Sequence, residues 1–434
     1  GVKAQNPLID HIYAADPSGH VWEEHPDRLY LYTSHDVNGT NHHSTMFDYH
    51  VFSTEDLIHW TDHGRVLSVD NVDWAISHAW AIDATYWKEN YYLVFCMREK
   101  QNSDKFRLGL AISNRPEGPF KSIGMIRGPE GMDPSLFIDD DNQPYIIYAH
   151  DRTCYIAKLT DDLLSVIPGS TVDVTAGLPD LQEGPWIHKY NNKYYLSYPG
   201  LPNGEWPEVM YVSVADKITG PYTPLNQYIP FFEGQAGSNH GSIVKFKNNW
   251  IAFYHAAWLS DGNSYTRNLM ADFISYNPDG TIRPIKPTQK GITDGRPVVC
   301  NIKLEAEYGK ASGGKFMGTY PESTMDGYSG NGYAAGFNHD EEYVQVLVQL
   351  AKKQKYEVEI RYSADQDRKI ALLAGGYMLN GDYASWKDII LPETKGFKTK
   401  NLGIIEFEAG DTPLKFMSLN GDIRVDYFLL KPVK

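Results

Sequence analysis

The chain has 434 residues, which is too long for one ordinary domain and long enough for two, each with a core of its own. Its formal net charge is −15 and it has no block of Lys and Arg, which disfavours a nucleic-acid partner. No apolar run approaches the length that spans a bilayer, and the spacing of Cys96, Cys154 and Cys300 is that of neither a disulfide framework nor a zinc site.

A repeated pattern runs through the first two thirds of the chain. Aromatic residues make up 13% of the sequence, and the chain contains 37 glycines and 25 prolines, a composition typical of short strands joined by turns. Turns followed by aromatic strands recur about every 50 to 60 residues, a period typical of propeller blades, at 25–36, 88–99, 142–151, 191–200 and 247–256. The pattern predicts an all-β fold with a five-bladed β-propeller over residues 1–295.

A polar side chain stands ahead of each aromatic strand. These side chains are Asp16, Asp83, Asp133, Glu183 and His240. Because the strand nearest the axis comes first in each propeller blade, we expect the five groups to face one central funnel. Burying an unpaired carboxylate is costly, so packing explains them poorly, although they could satisfy backbone groups where the blades begin.

Carboxylates in one funnel suit glycoside hydrolysis. That reaction needs one carboxylic acid to protonate the leaving oxygen and one carboxylate to activate water or attack the sugar. A third carboxylate close by can tune the pKa of the acid and hold its orientation. Carboxylates delivered by different blades would be separated across the channel, which leaves room for water and favours inversion.

Four segments resemble the signature segments of glycoside hydrolase family 43. They are AADPS at 14–18, MDPSLFIDDDNQPY at 132–145, EGPWI at 183–187 and NHGSIV at 239–244. The resemblance covers about residues 6 to 290 and implies a five-bladed propeller that acts by inversion. It assigns the general base to Asp16, the general acid to Glu183, and pKa tuning and orientation to Asp133.

The same resemblance implies roles for four further residues. His240 matches a central histidine that orients water or binds a cation, and Arg267 an arginine that contacts substrate and the orienting acid; a blade-closing salt bridge is the alternative for Arg267. Trp80 and Trp186 would form an apolar floor under the sugar, or else be ordinary core residues. Ile82 replaces a family proline, which puts the contribution of Asp83 in doubt.

The expected function is that of an exo-acting glycosidase. The run NPLIDHIYAADPS and the later YHVFSTEDLIHWTDHG resemble arabinofuranosidases, so we expect removal of α-L-arabinofuranosyl residues from polysaccharide or glycan side chains. β-D-galactofuranosidase or β-xylosidase activity on the same site remains open, as does a non-catalytic glycan-binding protein. Loops 36–46 and 201–210 are expected to shape the pocket wall. We expect a monomer that is secreted, periplasmic or at the cell surface, with a carbohydrate as its partner.

Residues 302–434 predict a second domain, because short spans of alternating apolar and polar residues are typical of a β-sandwich, here jelly-roll-like. LEAEYG at 304–309 and VDYFLLKP at 425–432 are among the segments that resemble carbohydrate-binding module family 6. That resemblance implies a structural Ca²⁺ at Glu305, Glu307 and Asp426 and a sugar held between Phe337 and Trp386. Arg424 and Val425 depart from its asparagine before the final Asp-Tyr, so a domain that only buttresses the propeller is the alternative.

Overall fold

The structure is a computed structural model that describes residues 6–311, 320–339, 342–375 and 384–433, and it is all-β. In those ranges the helical segments are short 3₁₀ turns, at His43–Thr45, Val69–Asn71, Thr175–Gly177, Pro202–Gly204, Trp258–Ser260 and Ala306–Tyr308. No helix in the described part of the chain has the length and apolar character needed to cross a membrane. Backbone contacts divide the chain into two compact units, unit 1 with Gly1–Trp60 and Arg65–Val298, and unit 2 with Thr61–Gly64 and Val299–Lys434.

Unit 1 contains five antiparallel sheets that follow one another along the chain. The first two contain β1 (Tyr13–Val21), β2 (Leu29–Asp36), β3 (Asp48–Thr54) and β4 (His59–Ser68), then β5 (Ala75–Ser77), β6 (Ile82–Trp87), β7 (Asn90–Glu99), β8 (Phe106–Ser113) and β9 (Lys121–Glu130). The third contains β10 (Met132–Ile138), β11 (Pro144–His150), β12 (Thr153–Lys158) and β13 (Val172–Asp173). The last two contain β14 (Trp186–Tyr190), β15 (Lys193–Gly200), β16 (Val209–Ala215) and β17 (Thr223–Ile229), then β18 (Ser242–Phe246), β19 (Asn249–Ala256) and β20 (Asn268–Ile274).

The five sheets form a closed ring around a channel. Strands β1, β6, β10, β14 and β18 each contact the next, and β18 contacts β1. We call the end of the channel where these inner strands begin the upper end, and the other the lower end. Because neighbouring strands are antiparallel, the connections β15–β16, β17–β18 and β19–β20 also lie at the upper end. The ring therefore gathers residues that are distant in sequence at two opposite mouths.

Aromatic and aliphatic side chains fill the spaces between adjacent sheets. Alternation along β7 shows how one strand serves two cores, because successive side chains of a strand point to opposite faces. Leu93 and Phe95 pack with Tyr32 of the first sheet, whereas Val94 packs with Ile146 of the third. Each sheet is thus buried on both faces, which explains the aromatic strands of the repeat.

Unit 2 contains two sheets that share one apolar core. One contains β21 (Val299–Glu305), β23 (Tyr320–Glu322), β24 (Tyr333–Ala335), β26 (Gln354–Ser363), β29 (Lys398–Phe407) and β31 (Arg424–Pro432). The other contains β22 (Lys310–Ala311), β25 (Tyr343–Leu350), β27 (Arg368–Ala374), β28 (Ala384–Leu391) and β30 (Gly410–Ser418). Apolar residues alternate along β25 and β26 because only one face of each strand meets the core.

The predicted sugar-binding pair of unit 2 is corrected at Phe337. This side chain is 0% exposed and its ring meets that of Phe416 edge-on at 5.7 Å between centroids, inside the shared core. A ring buried between two sheets offers no face to a sugar, so the prediction for Phe337 is wrong. The side chain of Trp386, on β28, lies outside the described residues.

Candidate active site

The two Asp-Pro-Ser motifs form matching irregularities at the upper end of β1 and β10. Asp16 has φ of 52° and Asp133 has φ of 50°, in the left-handed region that few side chains adopt. The pairing register shifts between Ala15 and Ser18, and again between Met132 and Ser135. A bulge re-aims a side chain that would otherwise follow the alternation of its strand. The repeated motif thus has a physical role, which is to turn two carboxylates towards the funnel.

Asp16 is a buried carboxylate held in its ionised form. Burial by itself would raise its pKa, but the guanidinium of Arg267 and the rings of His240 and His255 outweigh that effect and lower the pKa well below its usual value. Nη1 of Arg267 donates to Oδ1 of Asp16 at 3.2 Å, and the hydroxyl of Ser34 donates to Oδ2. These partners keep Asp16 ionised at neutral pH, which is the protonation state that a general base requires.

His255 orients the backbone of Asp16 and was not identified from the sequence. Its Nδ1 accepts from the backbone N–H of Asp16 at 3.2 Å, while its Nε2 donates to the carbonyl of Ser238 at 2.9 Å. Burial, reinforced by the charge of Arg267, lowers the pKa of His255 to about 3, so the ring stays neutral in this arrangement. His255 lies near the end of the aromatic strand β19, and no motif distinguishes it there.

Arg267 reaches the site, but its acidic partners differ from the predicted one. Its Nε and Nη2 form two bonds of 2.9 Å to Asp36, at the end of β2, and its Nη1 bonds Asp16. The expected contact with the orienting acid Asp133 is not among the hydrogen bonds of Arg267 in the described residues. Because Arg267 lies just before β20, the last strand of the fifth sheet, and Asp36 ends β2 of the first, the pair links these two neighbouring sheets of the ring. Asp36 was missed because no repeat marks it.

Asp133 connects to the loop that carries Glu183. Its Oδ2 accepts from the backbone N–H of Gly184 at 3.1 Å. Burial raises the pKa of Asp133 to about 6, with His240 opposing the shift and Asp16 adding to it. Gly184 has φ of 56°, and a Cβ at this position would lie 2.8 Å from Nδ1 of His240, so the close approach requires glycine. The link supports an orienting role for Asp133.

Glu183 has the opposite electrostatic setting from Asp16. Desolvation of its carboxyl raises its pKa well above the usual value, and the nearby Glu208, Asp133 and Asp16 raise it further. A carboxyl that stays protonated at neutral pH can donate a proton to a leaving group. The funnel therefore holds one carboxylate kept ionised and one carboxyl kept protonated.

Glu208 is a second buried acid beside this group, and the sequence did not reveal it. It is 0% exposed, and its Oε2 accepts from the backbone N–H of Asn239 at 2.6 Å. Its Oε1 has no hydrogen-bond partner. Burial, with Asp133 and Asp16 adding to it, raises the pKa of Glu208 to about 8. Glu208 stands in the loop before β16, away from the repeated positions, which is why no pattern marked it.

Asp83 lies lower in the channel and does not join the carboxylate group. Its Oδ2 accepts from the backbone N–H of Leu136 at 2.8 Å, and its Oδ1 accepts from Ser18 and from His20, whose Nε2 lies 2.6 Å away. Strand β6 pairs with β7 without a register shift, so no bulge turns Asp83 towards the upper end. The prediction that all five polar groups face one funnel is therefore wrong for Asp83.

Trp186 belongs with Asp83 rather than with a sugar-binding floor. It is 6% exposed and its Nε1 donates to the hydroxyl of Ser18 at 3.1 Å. It also lines the cavity of about 1010 Å³ that opens at the lower end, among residues of all five inner strands. We call Ser18, His20, Asp83 and Trp186 the channel plug, because their hydrogen bonds cross-link the inner strands below the carboxylates.

Trp80 and His240 lie close to the predicted positions. Trp80 is partly exposed; its Nε1 donates to the carbonyl of His43 at 3.0 Å, in the predicted wall loop 36–46. Burial and the charge of Arg267 lower the pKa of His43 to about 4, which places this loop beside the funnel. Nδ1 of His240 lies 3.8 Å from Oδ1 of Asp16. A floor role for Trp80 and a cation at His240 stay predictions.

The donor sets for metal ions were tested in both units. In unit 2, Glu305, Glu307 and Asp426 surround Ser329 and Asn331, and Oε2 of each glutamate is buried with no hydrogen-bond partner. Burial and Glu305 raise the pKa of Glu307 to about 8, a cost that a divalent cation would relieve. These hard oxygen donors fit Ca²⁺.

A second set of ligand types lies in unit 1. Among the described residues, His35, Asp48 and His50 bring one ligand atom each within 4.8 Å of one another. His35 Nδ1 already lies 2.6 Å from Asp48, and Arg65 bonds the other oxygen of Asp48. Both carboxylate oxygens of Asp48 are thus already engaged, whereas Oε2 of Glu305 and of Glu307 in unit 2 have no partner, so we assign no metal to this group.

Comparison with known proteins identifies the family. The sequence profile of glycosyl hydrolases family 43 matches residues 4–282, which is most of unit 1 and more than half of the chain. The chain belongs to this family. As a family 43 protein it is a glycoside hydrolase, which sets aside the non-catalytic binding protein considered from the sequence.

Relatives of known activity agree with this assignment and differ in the sugar. Xylosidase/arabinosidase 43A of Humicola insolens is 33% identical over 336 residues, covering 65% of this chain and 99% of that protein. Arabinoxylan arabinofuranohydrolase of Paenibacillus polymyxa is 29% identical over 361 residues, covering 70% of this chain and 54% of that protein. β-D-galactofuranosidase of Aspergillus niger is 27% identical over 316 residues, covering 67% and 87% respectively.

Solved structures extend the likeness. A family 43 β-xylosidase/α-arabinofuranosidase from a compost microbial metagenome, in complex with xylotriose and calcium-free, has a TM-score of 0.57 and 31% identity, covering 66% of this chain and 97% of that one. A Bacillus subtilis arabinoxylan arabinofuranohydrolase, in complex with cellotetraose, has a TM-score of 0.57 and 22% identity, covering 99% and 98% respectively. At that identity the second likeness concerns the fold alone.

Proposed function

We propose that this family 43 glycoside hydrolase removes terminal α-L-arabinofuranosyl residues from polysaccharide or glycan side chains by inversion. One observation carries the proposal: Asp16 and Glu183 flank one funnel with pKa values displaced in opposite directions. Two carboxyl groups separated in this way can act as base and acid at the same pH.

Each group has one task in a single displacement. The ionised Asp16 takes a proton from a water molecule while the oxygen of that water forms a bond to the anomeric carbon. At the same time Glu183 gives its proton to the leaving glycosidic oxygen, whose bond to the anomeric carbon breaks. Asp133 holds the backbone at Gly184, so it positions Glu183 without touching the sugar. Arg267 keeps Asp16 charged, and the neutral His255 holds its backbone in place.

The proposal of inversion rests on where the two groups come from. Asp16 belongs to the first sheet and Glu183 to the fourth, and the fifth sheet separates them in the ring. Groups from sheets that are not neighbours lie across the funnel from one another, which favours a water molecule between base and sugar over a covalent glycosyl intermediate.

The choice of sugar rests on the relatives and on the shared ring stereochemistry of two furanosides. Their activities include xylosidase/arabinosidase, arabinofuranohydrolase and β-D-galactofuranosidase, so β-xylosidase and β-D-galactofuranosidase remain the alternatives on the same carboxylates. A hydroxymethyl group changes affinity by about 1–3 kcal/mol, so a pocket for one furanose can admit the other.

The test is hydrolysis by the purified chain of 4-nitrophenyl α-L-arabinofuranoside, β-D-galactofuranoside and β-D-xylopyranoside. We expect the largest kcat/KM for the arabinofuranoside. Proton NMR of the first-formed sugar should show the inverted anomer. If kcat/KM is larger for the galactofuranoside or the xylopyranoside, that sugar replaces arabinofuranose in the proposal. A retained anomer would exclude the single-displacement mechanism.

For the architecture, we infer that the five sheets of unit 1 are propeller blades and that the two sheets of unit 2 form a β-sandwich with Ca²⁺ at Glu305, Glu307 and Asp426. The ring of inner strands, the single core of unit 2 and its unpartnered glutamate oxygens support this. Adding EDTA should lower the unfolding temperature of the native chain, and Ca²⁺ should restore it. No change on either addition would contradict the calcium site.

A further inference from the structure

A second cavity lies at the same end of the ring as the carboxylates. It has a volume of about 640 Å³ and is lined by three connections, namely β15–β16 at Pro207, β17–β18 over 231–237, and β19–β20 at 257–262. All three lie at the upper end, since each follows a strand that runs towards it. The cavity therefore opens on the face where a substrate would reach Asp16 and Glu183.

Hydrogen bonds connect the wall of this cavity to the candidate active site. The backbone N–H of Glu208, next to Pro207, donates to the carbonyl of Gly237 at 2.9 Å. The residue after Gly237 is Ser238, whose hydroxyl accepts from Nη1 of Arg267 at 3.3 Å. The lining residue Gly237 is therefore adjacent in sequence to a residue that bonds Arg267, the partner of Asp16. The lining residue Pro207 is likewise adjacent to Glu208, which affects the pKa of Glu183.

Large apolar side chains are exposed at the cavity and beside it. Phe231, which lines the cavity, is 67% exposed, and Trp206, the sequence neighbour of the lining residue Pro207, is 58% exposed. Large apolar groups exposed close together usually mark a surface that binds something. Aromatic rings can stack on the apolar face of a sugar ring, and the exposed carboxylates of Glu233 and Asp261 can accept hydrogen bonds from its hydroxyls.

One wall is held rigid by a glycine. Gly234 has φ of +81°, and a Cβ there would lie 2.5 Å from Cδ1 of Trp258. Nε1 of Trp258 donates to the carbonyl of Glu233 at 3.1 Å. The indole therefore lies directly against the backbone and cannot rotate away without losing that bond, which gives a preformed surface.

We propose that this cavity and the adjacent Trp206, which together we call the aromatic loop site (Trp206, Phe231 and Trp258), bind the backbone of the polysaccharide from which the terminal sugar is cleaved. The inference rests on the proposed function. Glu183 protonates the leaving oxygen, and Glu183 belongs to the fourth sheet, whose β15–β16 loop forms part of the cavity wall. The departing chain therefore lies on this side of the funnel, away from Asp16. The lining residues include no Lys or Arg, which favours a neutral chain over an anionic one.

The test compares a polymer with a small substrate. For Trp206→Ala, Phe231→Ala and the double variant, kcat/KM is measured on arabinoxylan and on 4-nitrophenyl α-L-arabinofuranoside. The ratio of the two values should fall about tenfold in the double variant, mainly through KM, since two stacking contacts contribute on this scale. The matched control is Phe273→Ala, because Phe273 is 45% exposed on β20 and does not line the cavity. It should leave the ratio unchanged, and circular dichroism should show all variants folded.

Two outcomes are decisive against the inference and are distinct from failure of the proposed function. A double variant that keeps the ratio within twofold of the native chain would overturn the aromatic loop site while leaving the activity standing. If the native chain hydrolyses neither substrate, the proposed function fails, and calorimetric titration of xylohexaose into the native chain, the double variant and Phe273→Ala tests the site alone. Equal affinity for all three chains, or no binding to any of them, would then overturn it.

Discussion

The two ends of the channel in unit 1 treat buried carboxylates in opposite ways. At the channel plug, Asp83 accepts hydrogen bonds from Ser18, His20 and the backbone of Leu136, so its charge is fully compensated. At the upper end, Asp133 and Glu183 lie among other acids, and Glu208 keeps an oxygen with no partner. The same residue types on the same inner strands thus serve cohesion at one level and chemistry at another. Within the upper group, Asp16 has partners on both oxygens and a lowered pKa. The other upper acids lack such compensation and have raised pKa values, so hydrogen-bond satisfaction separates the group that stays ionised from those that hold a proton.

The largest expected effect comes from replacing the carboxyl groups of Asp16 and Glu183 at the upper end. Asp16→Asn and Glu183→Gln should each lower kcat/KM by about a thousandfold, within the range of general acid–base catalysis. The losses should differ with the leaving group, because only Glu183 protonates it. A dinitrophenyl arabinofuranoside should recover most of the activity of Glu183→Gln and little of that of Asp16→Asn.

Steady-state kinetics on nitrophenyl and dinitrophenyl arabinofuranosides measure this difference. Asp141→Asn, an exposed acid in the β10–β11 turn, serves as the control and should match the native chain. Equal recovery in both variants would contradict the separate roles.

The converse change removes the compensated carboxylate of the plug. Asp83→Ala should destabilise unit 1 by about 3 kcal/mol, because it deletes charged hydrogen bonds and leaves buried donors unpaired. Turnover at 25 °C should stay within a few-fold of the native value. Thermal unfolding measures the loss of stability, and kcat measures the change in turnover. The stability of Asp83→Asn should lie between those of the native chain and Asp83→Ala. A large loss of kcat at unchanged unfolding temperature would place Asp83 in the chemistry.

In contrast to Asp83→Ala, replacing Asp133 by the uncharged Asn should raise the stability of the folded chain. Burial raises its folded-state pKa from 3.8 to about 6, so the folded chain keeps a proton that the unfolded chain releases, and stability falls as the pH rises through that window. Asp133→Asn removes this penalty. The variant should be more stable than the native chain at pH 7 by on the order of 1 kcal/mol, with no difference below pH 4.

Urea unfolding of native chain and variant at pH 4 and pH 7 measures this. The kcat of the variant should fall at pH 7, since its neutral amide no longer helps to raise the pKa of Glu183. A variant less stable at pH 7 would show that Asp133 is compensated like Asp83.

The smallest expected effect concerns Glu208. Because its own pKa is raised to about 8, Glu208 carries a negative charge only at alkaline pH, where that charge raises the pKa of Glu183. Glu208→Gln removes this charge and should move the alkaline limb of the kcat/KM profile to lower pH by up to about one unit. The amide oxygen can still accept from the N–H of Asn239, so the plateau should change only a few-fold. The exposed Glu205→Gln on the same loop is the control. An unmoved limb would show that Glu208 acts only on the backbone.

Local signals predicted one part of this site and missed another, for a physical reason. The Asp-Pro-Ser motifs could be identified because each encodes its own bulge, and a bulge needs no distant partner. Asp36, His255 and Glu208 reach the funnel only when the fifth sheet meets the first and when loops fold over the ring, so nothing near them in sequence marks them.

Position in a repeat also has limits as a predictor. Asp83 stands at the expected place in the repeat, but its strand has no bulge. The repeat therefore predicts which strand carries the side chain and does not predict how far along the channel that side chain lies. Phe337 shows the same limit in unit 2, where it lies beyond the end of β24 and packs into the shared core. An aromatic motif alone does not distinguish a core ring from a binding ring.

The channel plug also sets the order in which products can depart. Because its hydrogen-bonded side chains obstruct passage through the ring, a sugar bound among the carboxylates has no exit at the far mouth. Under the proposed function, the severed chain must withdraw before the single sugar beneath it can escape through the same opening. If the proposed function holds, such a dead-end chamber accommodates the tip of a branch and excludes the middle of a long polymer. The same feature would then explain both cleavage at chain termini and a liberated monosaccharide as the last species to leave.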